Sequence, residues 1–198
     1  MNIYAFYQSI PTADQPEEFA CANWWKTSWT ANGWNPVMLN RSHAQGSSMY
    51  NKLQQKLAQE LNKHQGLVAR AAWFQSRFTR WCALHAAGGG WMSDYDVLNL
   101  DLTPQIAKET AKKTLLLNEG PAYLFYASPE HCLGALRKFI SEDLSEDGVV
   151  RVELDILGCE PELGTILERV MHVHARGDRN RPTRMQDIFT NKESCNVL

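Results

Sequence analysis

The sequence predicts an α/β protein, with helices packed on a largely parallel sheet. Three observations carry this. Apolar or alternating runs of strand length recur along the chain, and stretches with apolar residues at three- and four-residue spacing separate them. Glycine, proline and asparagine punctuate the junctions. Strands alternating with helices favour parallel neighbours with helices on both faces.

Residues 3–7 are apolar and aromatic throughout and predict a buried first strand. In TADQPEEF a helix starts, with Pro16 at its first position and Glu17 and Glu18 matched to the helix dipole. Phe19, Ala22, Trp25 and Trp29 form its expected inward face, and Asn32-Gly33 stops it. Val37 to Leu39 is a short second strand, so the first third reads β-α-β. Residues 40–48 are expected to be a loop. Tyr50, Leu53, Leu57 and Leu61 mark a second helix.

A third helix is expected from about Leu67 to Ala87, with Ala71, Phe74, Phe78 and Cys82 on one side. Arg70 and Arg77 lie seven apart, nearly on one line, with Arg80 close by. Gly88, Gly89 and Gly90 end that helix, because glycine readily takes the left-handed conformation that closes one. Trp91 to Ser93 then form a strand, with Asp94 at its C-terminal end. Leu98 to Leu102 and Pro104 suggest a short connection. Residues 122–127 predict a buried strand, followed by Ser128 as a cap and a helix to about Ile140. An acidic loop (141–148), a half-buried strand (Val149 to Leu154), a helix (162–171), a late strand (MHVHA) and an Arg-rich, loosely held tail from about Arg176 complete the expected order. The 198 residues are expected to form one compact domain.

Apolar content of 44% and charged content of 21% are those of a globular protein. The net charge of −2 makes no electrostatic case for nucleic acid or membrane surfaces. No apolar run approaches the roughly 18–20 residues that span a bilayer, and MNIYAFYQSIP lacks the pattern of a signal peptide. A cytoplasmic protein without a membrane span is the expectation. The five cysteines are scattered, with no CxxC pair or Cys/His cluster, which argues against zinc and a disulfide scaffold. Six of the seven tryptophans precede the glycine run. Most would fill the core, and one or two could line a sugar or base pocket.

Asp94 and Asp96 stand one residue apart at a predicted strand end, where ligands of open α/β sheets bind. Two such carboxylates can face one hard cation, Mn²⁺ or Mg²⁺, which often takes few protein ligands and completes its shell with substrate phosphates. A solvated turn or a helix cap would look the same in isolation.

The surroundings add a pattern. Arg80, Leu84, Gly88, Gly89, a short strand, Asp94 and Asp96 together resemble the DXD sugar-binding region shared by yeast-type mannosyltransferases and the large clostridial glucosylating toxins. The resemblance implies a GT-A-like (Rossmann-like) α/β/α sandwich with a mostly parallel central sheet. It also implies a metal-dependent glycosyltransferase with a nucleotide-sugar donor, UDP-linked by preference. The chain departs from the pattern in three places. It has one extra glycine, Arg77 stands where the family has an acid, and Met92 stands where the family has an aromatic, with Trp91 one position earlier.

The resemblance assigns donor contacts to Arg77, Arg80, Asp94 and Tyr95, and the metal to Asp94 and Asp96. Because the family's acid touches sugar hydroxyls, Arg77 prevents the donor sugar from being carried over. Ala5, Phe6 and Tyr7 fall where the opening strand supports the base. VMHVHARGD resembles the histidine strand that completes the metal shell. His172 and His174 would face the same way there, and His174 is preferred because Ala-Arg-Gly, with Arg176, could loop over a diphosphate. Arg176, Arg179, Arg181 and Arg184 read either as a solvated tail or as cations for a departing nucleoside diphosphate or an anionic acceptor. Should the reaction invert configuration, Asp155 is the candidate base.

The acceptor could be a glycan, another hydroxyl or a modified DNA base, so nucleic acid enters only as acceptor. The alternative class is a non-catalytic nucleotide or nucleic-acid binding module. Phosphoryl transfer is disfavoured because no GxxxxGK[ST] loop is present.

Overall fold

The strand that follows the glycine run lies at the centre of the sheet. The computed structural model describes residues 1–8, 15–110, 116–117, 123–146, 149–151, 156–157, 169–173 and 181–195. Its main sheet comprises β1 (Asn2–Phe6), β2 (Asn35–Leu39), β3 (Gly90–Ser93), β5 (Leu116–Leu117) and β6 (Leu124–Ala127), in the order β2-β1-β3-β6-β5. β1 pairs in parallel with β2 and β3, whereas β6 runs antiparallel to both β3 and β5. Four strands therefore point one way and β6 opposes them. The sheet is mixed and mostly parallel in direction.

Side chains alternate across it. Tyr4, Met92 and Phe125 face one layer, built from α3 (Tyr50–Lys63), α4 (Ala71–Ala86) and α6 (Pro129–Ser141). Trp81 of α4 stacks on Phe125 at 4.5 Å. Ile3, Ala5, Trp91 and Leu124 face the other layer, where α1 (Gln15–Ala31) supplies Trp25 and Trp29. Full burial of such a side chain contributes about 1.5–3 kcal/mol, so the tryptophans on both faces weigh heavily in stability.

Several expectations are corrected here. Phe19 is 59% exposed, and the inward line of α1 runs instead through Cys21, Trp25, Ser28 and Trp29. The expected loop at 40–48 contains a helical turn, α2 (Arg41–Ala44), because the Asn40 side chain accepts from the backbone of Ser42 and His43. The third helix opens as a 3₁₀ segment (Gln65–Arg70) before α4, and Arg70 is exposed while Arg77 and Arg80 are buried.

The expected connection at Leu98 to Leu102 begins as a strand, β4 (Val97–Asn99), paired antiparallel with β9 (Val170–His172). A helix α5 (Pro104–Thr110) follows that connection. Part of the acidic loop is extended, β7 (Ser145–Glu146) against β8 (Val149–Val150), and residues 152–154 of the expected half-buried strand lie outside the described residues. Residues 162–168 of the expected helix fall outside them as well, and Val170 and Met171 lie in β9. The supposed tail carries a helix, α7 (Arg181–Cys195), which packs on α1. Met185 and Phe189 are buried there, and Trp24 meets Phe189 at 5.9 Å between ring centres. Among the described residues no helix is long and apolar enough to cross a membrane.

Candidate metal centre at the edge of the sheet

The glycine run determines how α4 hands over to β3. Gly88, Gly89 and Gly90 have φ of +88°, +75° and +131°. A Cβ on Gly89 would stand 2.7 Å from the Ala127 carbonyl oxygen and from the Pro129 nitrogen. The reversal lays α4 beside β3, so Arg80 comes level with the far end of the strand, where its Nη1 donates to Asp94 Oδ1 at 2.8 Å. On the other face, Trp25 Nε1 donates to Ser93 Oγ at 2.8 Å. The Asp94 amide donates to the Tyr123 carbonyl at 2.8 Å, which ties the strand end to the start of β6.

Asp94 to Val97 then makes a turn, with the Val97 amide donating to the Asp94 carbonyl at 3.2 Å. β4 leaves the turn and pairs with β9, which sets Val97 opposite His172. Val173 donates its amide to the Asp96 carbonyl at 2.9 Å. The His172 ring stacks on Tyr123 at 4.5 Å and places Nε2 3.3 Å from Asp96 Oδ1. The second Asp96 oxygen, Oδ2, accepts from Arg181 Nη1 at 2.9 Å. Asp94, Asp96 and His172 thus offer ligand atoms that all lie within 4.8 Å of one another.

Charge is balanced tightly around Asp96. Burial by itself would raise its carboxyl, but the His172 hydrogen bond and the charges of His172 and Arg181 outweigh that and hold it below the usual carboxylate range. Burial would likewise lower the His172 imidazole, yet its bond to Asp96 and the charges of Asp96 and Asp94 keep it above the ordinary value.

Beside the triad is an aromatic shelf. Tyr7 and Tyr95 meet edge to face at 5.8 Å, and both hydroxyls donate to Glu18, at 3.1 Å and 3.4 Å. Burial pushes the Tyr95 phenol well up, and the Glu18 carboxylate adds to the effect. Of the three residues expected at the base, only Tyr7 belongs to this shelf. Ala5 is fully buried against α1, and Phe6 packs against the opposite core, so neither side chain is placed as expected. Arg77 is buried, with its guanidinium 5.5 Å from the Trp73 ring centre. Asp155, His174 and Arg176 lie outside the described residues.

The donor set fits a hard divalent cation. Ligands about 2.1 Å from one ion stand at most roughly 4.2 Å apart, so small side-chain rotations complete the set. Two carboxylates with one imidazole suit Mn²⁺ somewhat better than Mg²⁺. The imidazole that the described structure brings to the aspartates is His172, where the sequence favoured His174. Arg181 was recognisable only as one arginine among several. Its helix had a signal, since Pro182 suits a first helical position and Met185, Ile188 and Phe189 recur at helical spacing. Tyr123 carried no signal of its own, and Glu18 was legible only as an acid in the first turn of α1. Compared with known proteins, the chain matches no family model, no curated protein and no solved structure.

Proposed function

We propose that the chain is a metal-dependent glycosyltransferase with a GT-A-like sandwich, moving a sugar from a nucleoside-diphosphate sugar to an acceptor hydroxyl. The observation that carries this reading is the convergence of Asp94, Asp96 and His172 at the C-terminal edge of β3, flanked by Arg80 and Arg181. Two carboxylates and an imidazole would hold Mn²⁺ or Mg²⁺. Such an ion supplies charge stabilisation to a leaving diphosphate, which substitutes for a general acid.

The protein's own groups would do the rest. Arg80 orients Asp94, and Tyr123 holds the plane of His172. Tyr7 and Tyr95, braced on Glu18, present aromatic surface beside the triad for a base or sugar. Arg80 and Arg181 would supply positive charge to a diphosphate bound at the cation.

The decisive experiment is a screen of nucleotide sugars for slow donor hydrolysis in Mn²⁺, with thermal melting in UDP, Mn²⁺ and both. Hydrolysis of one donor, and a melting point raised by UDP only with the metal, are expected. Asp94→Asn is expected to abolish both signals while the chain stays folded, because Asp94 is only partly buried. A melting point unmoved by every nucleotide and metal combination would overturn the reading. Salt-sensitive binding of DNA or RNA without donor turnover would favour a nucleic-acid binding module instead.

A further inference from the structure

Arg181 holds Asp96 by Oδ2, while the other oxygen, Oδ1, lies beside His172. Both carboxylate oxygens of Asp96 are engaged, Oδ1 with His172 and Oδ2 with Arg181. His172 belongs to the donor set itself, so a cation at Asp96 would leave Arg181 sharing the carboxylate's charge with the ion, which weakens the Arg181 ion pair. Its position suits withdrawal. Arg181 is the first residue of α7, while the body of that helix is anchored through Met185 and Phe189 against α1. The side chain keeps 20% of its surface in solvent. Its Nε is a buried donor with no hydrogen-bond partner among the described residues. A guanidinium released from Asp96 keeps its charge and its fork of donors, which matches phosphate oxygens in pairs.

We propose that Arg181 is an exchange residue. It neutralises Asp96 while no cation is present, and it passes to the diphosphate oxygens when a divalent cation and a nucleoside diphosphate arrive together. This rests on the donor reading above and adds a coupling between cation and diphosphate to it. Cation alone weakens the Arg181–Asp96 ion pair without giving Arg181 a new partner. Diphosphate alone finds the guanidinium already engaged. Each ligand therefore raises the affinity for the other, by the same factor in both directions.

The test titrates Mn²⁺ alone, and UDP with and without Mn²⁺, into the full chain by calorimetry, comparing wild type with Arg181→Gln and Arg181→Lys. Arg181→Gln is expected to bind Mn²⁺ alone about tenfold more tightly and Mn²⁺-supported UDP about tenfold more weakly, which shrinks the coupling. Arg181→Lys keeps the charge at Asp96 but not the fork. It is expected to leave Mn²⁺ affinity near wild type and still weaken UDP, and it carries the test if Arg181→Gln fails to fold. Mn²⁺ affinity unchanged in Arg181→Gln, or UDP affinity unchanged in Arg181→Lys, overturns the exchange. Absence of Mn²⁺ binding in every protein, with or without UDP, overturns the metal-dependent reading instead.

Discussion

Trp25 Nε1 donates to Ser93 Oγ at 2.8 Å, joining the middle of α1 to the last residue of β3 across 68 positions of sequence. The bond is buried, and the next residue is Asp94. Core packing and site geometry therefore share one contact.

Replacing Trp25 with Phe keeps most of the aromatic volume and removes the donor. The Ser93 hydroxyl then loses a buried partner, which costs about 1–3 kcal/mol. Urea denaturation is expected to show that loss. Trp29→Phe should behave similarly at the β4 side, because Trp29 Nε1 donates to the Val97 carbonyl at 3.0 Å. A Trp25→Phe protein as stable as wild type would mean the bond contributes nothing.

The three glycines are expected to differ sharply in tolerance. Gly88→Ala meets no atom within 4 Å and bears only the left-handed backbone strain, about 1–2 kcal/mol. Gly89→Ala adds a clash with the backbone of Ala127 and Pro129, neither of which can move without disturbing β6 or α6. Thermal melting should rank Gly88→Ala well above Gly89→Ala, with the latter losing most of its folded yield.

Glu60 predicts an acid limb of stability. Burial would raise its carboxyl, but hydrogen bonds from Lys56, Lys63 and Ser145 prevail and lower it below the ordinary 4.5. Between the folded and unfolded values the unfolded chain binds more protons, so stability rises with pH there. The contribution is complete above about pH 4.5 and disappears as pH falls through the lower, folded value. Glu60→Gln is expected to lose about 2–3 kcal/mol near neutrality and to show a shallower fall on acidification. Denaturant midpoints measured from pH 7 to pH 3 check both slopes.

Met185 anchors α7, the helix that carries Arg181, and it is fully buried. Met185→Ala is expected to cost about 2–5 kcal/mol and to raise amide exchange along α7. The exposed neighbour Gln186→Ala should change stability by less than about 0.5 kcal/mol. Equal exchange in the two proteins would show that α7 is held by other contacts.

Elements whose evidence is local were legible in the sequence. The apolar run of β1, the proline and acids opening α1, the Ser128 cap of α6 and the glycine reversal before β3 each act over a few residues. The spacing of Asp94 and Asp96, and the strand that presents them, belong to the same class. The α2 turn and the α7 helix were missed although their signals were also local. Asn40 as a cap and Pro182 as a helix opener were outweighed by polar surroundings that resemble a loop or tail.

The sequence by itself determined an α/β chain, a helix-glycine-strand junction and two carboxylates delivered to the strand's end. Only the tertiary structure decided what meets them. His172 comes to Asp96 because β9 pairs with β4, and Arg181 reaches it across 85 positions because α7 packs on α1. Strand pairing and helix packing are chosen among distant surfaces competing for the same burial. Alternation within one strand places His172 and His174 alike and cannot choose between them. The same holds for Phe19, whose helical spacing put it on the core face although the sheet left it exposed.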